Sequence, residues 1–192
     1  MSCTPSRSES STLIVMGVSG SGKTTIADEL VAQSGYVFAE GDEFHPQANV
    51  AKMHAGHPLD DEDRWPWLRS VAAWIGERER AGASAVLTCS ALKRSYRELL
   101  RDGHPSVWFV HLTLPSEVID QRLQRRQGHY MPASLLQSQL DILEPLAVDE
   151  PGVTVAGDAS PAEVATEVLE ALRQHRCGAL DPSGDRSARP SD

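Results

Sequence analysis

The stretch Thr12–Thr25, TLIVMGVSGSGKTT, constrains this chain more than any other. An apolar run from Leu13 to Met16 stops at Gly17, and Gly20, Gly22, Lys23, Thr24 and Thr25 follow. This is the pattern G-x-x-x-x-G-K-[ST] of a phosphate-binding loop. Glycine tolerates positive φ, so backbone N–H groups along Gly17, Val18, Ser19, Gly20, Ser21 and Gly22 can turn toward one anion. Lys23 supplies a cation for the β- and γ-phosphates of ATP, and the Thr24 hydroxyl suits Mg²⁺. A helix expected from Lys23 directs its positive end at the same phosphates. The competing reading is a glycine-rich strand-to-helix turn without a ligand. The flanking patterns oppose it: a buried-strand run precedes the loop, and Ile26, Ala27, Leu30 and Val31 follow at helical spacing.

The same alternation continues along the chain. Residues 36–39, 85–89, 107–112 and 153–155 read as strands. Helical patterns lie between them. Trp65, Leu68, Val71 and Ile75 mark one, with Pro66 expected in its first turn. Residues 46–63 read as one short helix (47–54) and a polar loop, GHPLDDED. Ser160-Pro161-Ala162-Glu163 is a capping box that opens a last helix, expected to end near His175. Strands alternating with helices predict an α/β fold with three layers and a mostly parallel five-stranded sheet. At 192 residues the chain suits one domain, expected over 12–175, with polar tails 1–11 and 176–192 expected to be disordered.

Bulk charge narrows the function. A net charge of −9 argues against a general nucleic-acid or membrane-surface binder. No apolar run is long enough to span a bilayer. Cys3, Cys89 and Cys177 form no Cys-x-x-Cys, which suits a reducing cytoplasm. An anionic ligand must therefore be held by local cations.

In open parallel sheets, ligands bind beyond the carboxyl ends of the strands. After the second strand come Glu40 and Asp42; after the third come Ser90, Lys93, Arg94 and Arg97. Asp42 is the candidate general base for phosphoryl transfer to an alcohol, against a plain turn aspartate. Glu40 suits Mg²⁺ through water, against a solvated surface acid. Lys93 and Arg97, four apart, form a stripe fit for an acidic substrate group, against a solvated basic face. Arg122, Arg125 and Arg126 precede Gln127-Gly128-His129. They read as a lid, about 122–135, with Arg125 catalytic and Arg122 and Arg126 on ATP, against cations that favour a helix C-terminus. The third strand ends Thr88-Cys89-Ser90, without the metal-binding aspartate usual there in GTPases and motor ATPases. A small-molecule kinase is favoured.

More specific segments resemble one family. They are Gly41-Asp42-Glu43-Phe44-His45-Pro46, Lys52-Met53, Asp61-x-Asp63-Arg64-x-Pro66-Trp67-Leu68, Cys89-Ser90-Ala91-Leu92-Lys93-Arg94-x-Tyr96-Arg97, Gly128-His129-Tyr130-Met131, Ser138-Gln139 and Leu143-Glu144-Pro145. Together they resemble the gluconokinases of the shikimate-kinase-like phosphate-loop group, over about residues 12–172. The resemblance implies ATP- and Mg²⁺-dependent phosphorylation of D-gluconate to 6-phosphogluconate by a cytoplasmic enzyme, often a homodimer. Carried over by motif, it implies a substrate pocket of Asp42, His45, Lys52, Arg64, Lys93 and Arg97. The alternatives are a kinase for another small acid such as shikimate, or a nucleotide-binding regulator without catalysis.

Overall fold

Strand β1 (Thr12–Met16) is buried along its whole length, as a strand covered on both faces must be. A computed structural model describes residues 10–115, 118–119 and 133–179 of the chain. In it β1 lies at the centre of a five-stranded sheet with β2 (Val37–Glu40), β3 (Ala85–Thr88), β4 (Val107–Thr113) and β5 (Gly152–Ala156), in the order β2-β3-β1-β4-β5. Every neighbouring pair is parallel, so the sheet expected to be mostly parallel is entirely so.

Alternation along β1 builds two cores. Leu13 and Val15 face α1 (Lys23–Ser34) and the last helix, meeting Ile26, Leu30, Val164, Val168 and Leu172. Ile14 and Met16 face the other way, toward Trp67, Leu68, Val71 and Ile75 of α3 (Asp61–Arg80) and Tyr96 and Leu100 of α4 (Arg94–Arg101). Between β2 and α3 lie a 3-10 turn (Gly41–Phe44) and α2 (Gln47–His54). Helix α5 (Ala133–Ile142) and the final helix α6 (Pro161–Ala179) complete the described elements. The result is three layers with every strand's carboxyl end on one rim.

Helix α3 begins earlier than its sequence pattern suggests. Asp60 caps it: its side chain accepts from the Asp63 amide at 2.9 Å, and Asp63 accepts in return from the Asp60 amide at 3.0 Å. Pro66 is therefore the sixth helical residue, not a first-turn proline. It forfeits one helical hydrogen bond, while the capping box and the buried face through Trp67 and Leu68 hold the helix. The folded unit also exceeds 12–175 at both ends. Ser11 is buried and hydrogen-bonds through its carbonyl to the Ala85 amide, and α6 runs on to Ala179.

Candidate active site

The phosphate loop has the backbone its glycines require. Gly17, Gly20 and Gly22 all have positive φ. A side chain on Gly17 would press on the Leu112 carbonyl oxygen and the Ser21 hydroxyl, so the loop can turn there only with glycine. Gly22 immediately precedes α1, so the helix opens on the loop. Lys23 donates from Nζ to the Val18 carbonyl at 3.1 Å, which folds the side chain back over the loop. Beside the loop lies a cavity of about 220 Å³ lined by Ser21, Gly22, Thr25, Ile26, Gly157 and Ala159.

A carboxylate stands one strand over from the end of β3. Glu40 ends β2 in register with Thr88 at the end of β3. Its carboxylate accepts from the Thr24 hydroxyl at 3.1 Å and from the Thr88 hydroxyl. Thr88 Oγ1 also accepts from the Gly41 amide at 3.2 Å. A carboxylate therefore stands against the phosphate-loop threonine after all, brought there by parallel register.

Asp42 follows a closely packed glycine, Gly41. A Cβ on Gly41 would overlap the Thr88 carbonyl oxygen. The Gly41 carbonyl accepts from Trp67 Nε1 at 2.7 Å. Gly41 is thus clamped between β3 and α3, and Asp42 projects from it with an exposed side chain. Among the described residues its carboxylate neither caps the 3-10 turn nor accepts a hydrogen bond.

His45 stacks on Trp67, with ring centroids 4.2 Å apart and planes 17° from parallel. Its Nδ1 lies 3.3 Å from Asn49 Nδ2, and the same Asn49 amide donates to the Asp63 carbonyl at 2.8 Å. Burial lowers the His45 pKa to about 4, against the attraction of Asp42 and with help from the nearby Arg64 charge. His45 is neutral at pH 7.

Arg64 is 6% exposed, yet among the described residues it has no carboxylate partner. Its Nε reaches only the Leu59 carbonyl at 3.4 Å, and its guanidinium lies 5.7 Å from the Tyr96 ring centroid. The thiol of buried Cys89, pushed up to about 12 by desolvation, feels the charges of Asp42, Lys23 and Arg64 together. The charges of Lys23, Asp42 and Arg64 are thus all felt at the end of β3.

Lys93 and Lys52 are already neutralised. Lys93 Nζ contacts both oxygens of Asp61 at 2.7 and 2.8 Å, and Tyr96 donates to Asp61 at 2.5 Å. Those hydrogen bonds hold Asp61 below the usual carboxylate range. Lys52 bridges Asp60 at 3.0 Å and Asp63, tying α2 to the start of α3.

Comparison with known proteins gives the family. A family model described as an AAA domain (AAA_33) matches residues 13–146. The gluconokinase of Gluconobacter oxydans (strain 621H) is 53% identical over 157 residues, spanning 82% of this chain and 88% of that protein. The crystal structure of a gluconokinase from Sinorhizobium meliloti 1021 superposes with a TM-score of 0.79 at 42% identity, covering 92% of this chain and 99% of the other. The chain belongs to the gluconokinase family. It is a kinase, and kinase chemistry implies ATP. Shikimate kinase from Aquifex aeolicus shares the fold, with a TM-score of 0.60 at 17% identity over 87% of this chain and 99% of that one.

One residue expected in the substrate pocket of this family member belongs elsewhere. Arg97 is 0% exposed and fully engaged. Its Nε and Nη2 donate to Glu150 at 2.6 and 2.8 Å, and Nη1 donates to the carbonyls of Ala91, Leu92 and Glu144. Burial is the largest single influence on the Glu150 carboxylate and disfavours it, but the Arg97 hydrogen bonds, the Ala147 amide and the charges of Arg97 and Arg94 together hold its pKa low. Arg97 locks α4 to the segment before β5 and has no donor to spare. Arg122, Arg125 and Arg126 lie outside the described residues. The sequence gives no role to Trp67, which stands only within a resembling segment, or to Thr88, which reads as a strand end. Trp67 follows Arg64 on the same helix, and its indole N–H is the signal that such a buried ring needs a polar partner.

Proposed function

We propose that this chain transfers the γ-phosphoryl group of ATP to the 6-hydroxyl of D-gluconate. The observation that carries the reading is Arg64: a buried guanidinium that among the described residues makes no ion pair, its charge felt by neutral His45 and by the Asp61 that Lys93 already holds. Burying a cation without a counter-ion is costly. A ligand carboxylate would remove that cost by pairing with it, and Arg is suited to bidentate pairing. Neutral His45 can donate to or accept from sugar hydroxyls without repelling Arg64. Asp42 is free to orient the acceptor hydroxyl and take its proton as the phosphoryl group arrives.

On the nucleotide side, the amides of the loop Gly17–Thr25 and Lys23 would hold the phosphates, with Arg122, Arg125 and Arg126 contributing charge. The cavity beside Gly157 suits the nucleoside. Thr24 and Glu40 fit Mg²⁺: a hydroxyl that donates its proton to a carboxylate keeps a lone pair for the metal, as their 3.1 Å contact allows. Bound there, Mg²⁺ would neutralise phosphate charge. Lys52 and Lys93 would then act as pocket walls held in place by Asp60, Asp61 and Asp63. The reading places the enzyme in the cytoplasm with ATP and gluconate as its small-molecule partners, either alone or as a homodimer. Among the described residues no helix is long and apolar enough to cross a membrane.

The test is Asp42→Asn. It keeps the shape and removes the base, so turnover should fall by about 10²- to 10⁴-fold. ATP affinity and melting temperature should stay close to those of the unaltered chain. A stable, ATP-binding variant with normal turnover would overturn the assignment of Asp42.

A further inference from the structure

One contact at the phosphate loop is made by a residue distant in sequence. The Ser19 amide donates to Gln139 Oε1 at 2.7 Å, across 120 positions. Ser19 is inside the phosphate loop and Gln139 lies on α5, so this one loop amide is turned to the helix. The contact does not stand alone. Val18, the neighbour of Ser19, is buried in a small cluster with Leu92, Ile119 and Leu136, against which Leu140 and Leu143 pack. Leu136 is one helical turn from Gln139, so α5 holds the loop by one polar and one apolar contact on the same face.

The other end of this segment grips the substrate side. Just past α5, the Glu144 amide donates to the Leu92 carbonyl at 2.8 Å. The Glu144 carboxylate accepts from the Arg94 amide at 2.5 Å. Those two bonds flank Lys93 on either side in sequence. The stretch 133–144 therefore bridges the loop that would hold ATP and the turn that carries Lys93.

We propose that Gln139 is a positioning residue that couples the nucleotide and gluconate sites. It does so by fixing the Ser19 amide to α5. This rests on the gluconate reading above. A neutral acceptor suits the task, because it satisfies the amide without placing negative charge among the phosphates. When phosphates fix the loop, α5 is fixed with it, and so is the Leu92–Arg94 turn. By linkage, gluconate must then raise nucleotide affinity by the same factor.

The experiment measures gluconate affinity with and without a non-hydrolysable ATP analogue and Mg²⁺. The unaltered chain should show a coupling factor of about fivefold or more. Gln139→Met keeps the length and helix propensity but lacks the acceptor. It should bind each ligand alone nearly as the unaltered chain does, with the coupling factor reduced to about one. Gln139→Glu retains an acceptor oxygen, so it should keep the coupling while binding the nucleotide more weakly through charge repulsion. A merely structural role would lower the melting temperature and leave the coupling intact. Full coupling in Gln139→Met, loss of coupling in Gln139→Glu, or no coupling in the unaltered chain with both ligands bound would each overturn the proposal. Absence of gluconate binding to the unaltered chain would instead overturn the gluconate reading itself.

Discussion

Two arginines are buried on the face of the sheet covered by α3 and α4, and their surroundings are opposite. Arg97 gives two hydrogen bonds to Glu150 and more to main-chain carbonyls. Arg64, one helix away, has among the described residues a single long contact to a carbonyl and the face of a tyrosine. Both would look alike to any reading that scores charge and position. The difference lies in the counter-ion. A buried cation with its own carboxylate is part of the fold, and a buried cation without one is a demand for a ligand. The contrast extends to the two lysines, whose charges Asp60, Asp61 and Asp63 already meet.

The contrast breaks first, and hardest, at Arg97. Arg97→Met strands the Glu150 carboxylate in the core and should cost about 3–5 kcal/mol of stability. In the fraction that remains folded, the KM for gluconate should be unchanged. Adding Glu150→Leu should recover part of the loss. Denaturant melts of the single and double variants check this, and a gluconate-specific defect without destabilisation would count against it.

Arg64→Met should give the reverse pattern. The KM for gluconate should rise by about 10²-fold, the scale for losing a buried charge pair with a ligand. The melting temperature should hold or increase, because an unpaired buried charge is gone. Lys93→Met should matter less, at under about tenfold in KM, since the half-exposed Asp61 already neutralises it. Steady-state kinetics on the two variants ranks them directly.

The smallest effect is a pH dependence. His45 has a folded pKa near 4, below the ordinary 6.5. Between those values the unfolded chain binds more protons than the folded one. Stability should therefore fall as pH drops from 6.5 toward 4, and His45→Asn should remove that part of the slope. Melting temperature against pH for both proteins checks the sign.

Much of this architecture can be read from local pattern. The phosphate loop, the alternation of strands and helices, and Glu40 and Asp42 beyond the second strand all rest on residues close together in sequence. Arg97 could not be read in that way. Its spacing from Lys93 places both on α4, but what decides its role is Glu150, 53 positions away. The start of α3 was obscured by Pro66, which in isolation suggests a first turn. The Asp60–Asp63 capping box sets the boundary instead. The sequence places Glu40 at a strand end, but its contacts with Thr88 and Thr24 come from register and loop geometry. Gln139 sits in an ordinary amphipathic pattern that carries no sign of its contact with Ser19.

The central claim is that Arg64 reads the substrate carboxylate. Its most direct test compares kcat/KM for gluconate with that for glucitol, the same six-carbon chain with a hydroxymethyl group in place of the carboxylate, in the unaltered chain and in Arg64→Met. The account predicts a preference for gluconate of about 10²-fold or more in the unaltered chain, reduced to near parity in the variant. A variant that still prefers gluconate as strongly as the unaltered chain would contradict it.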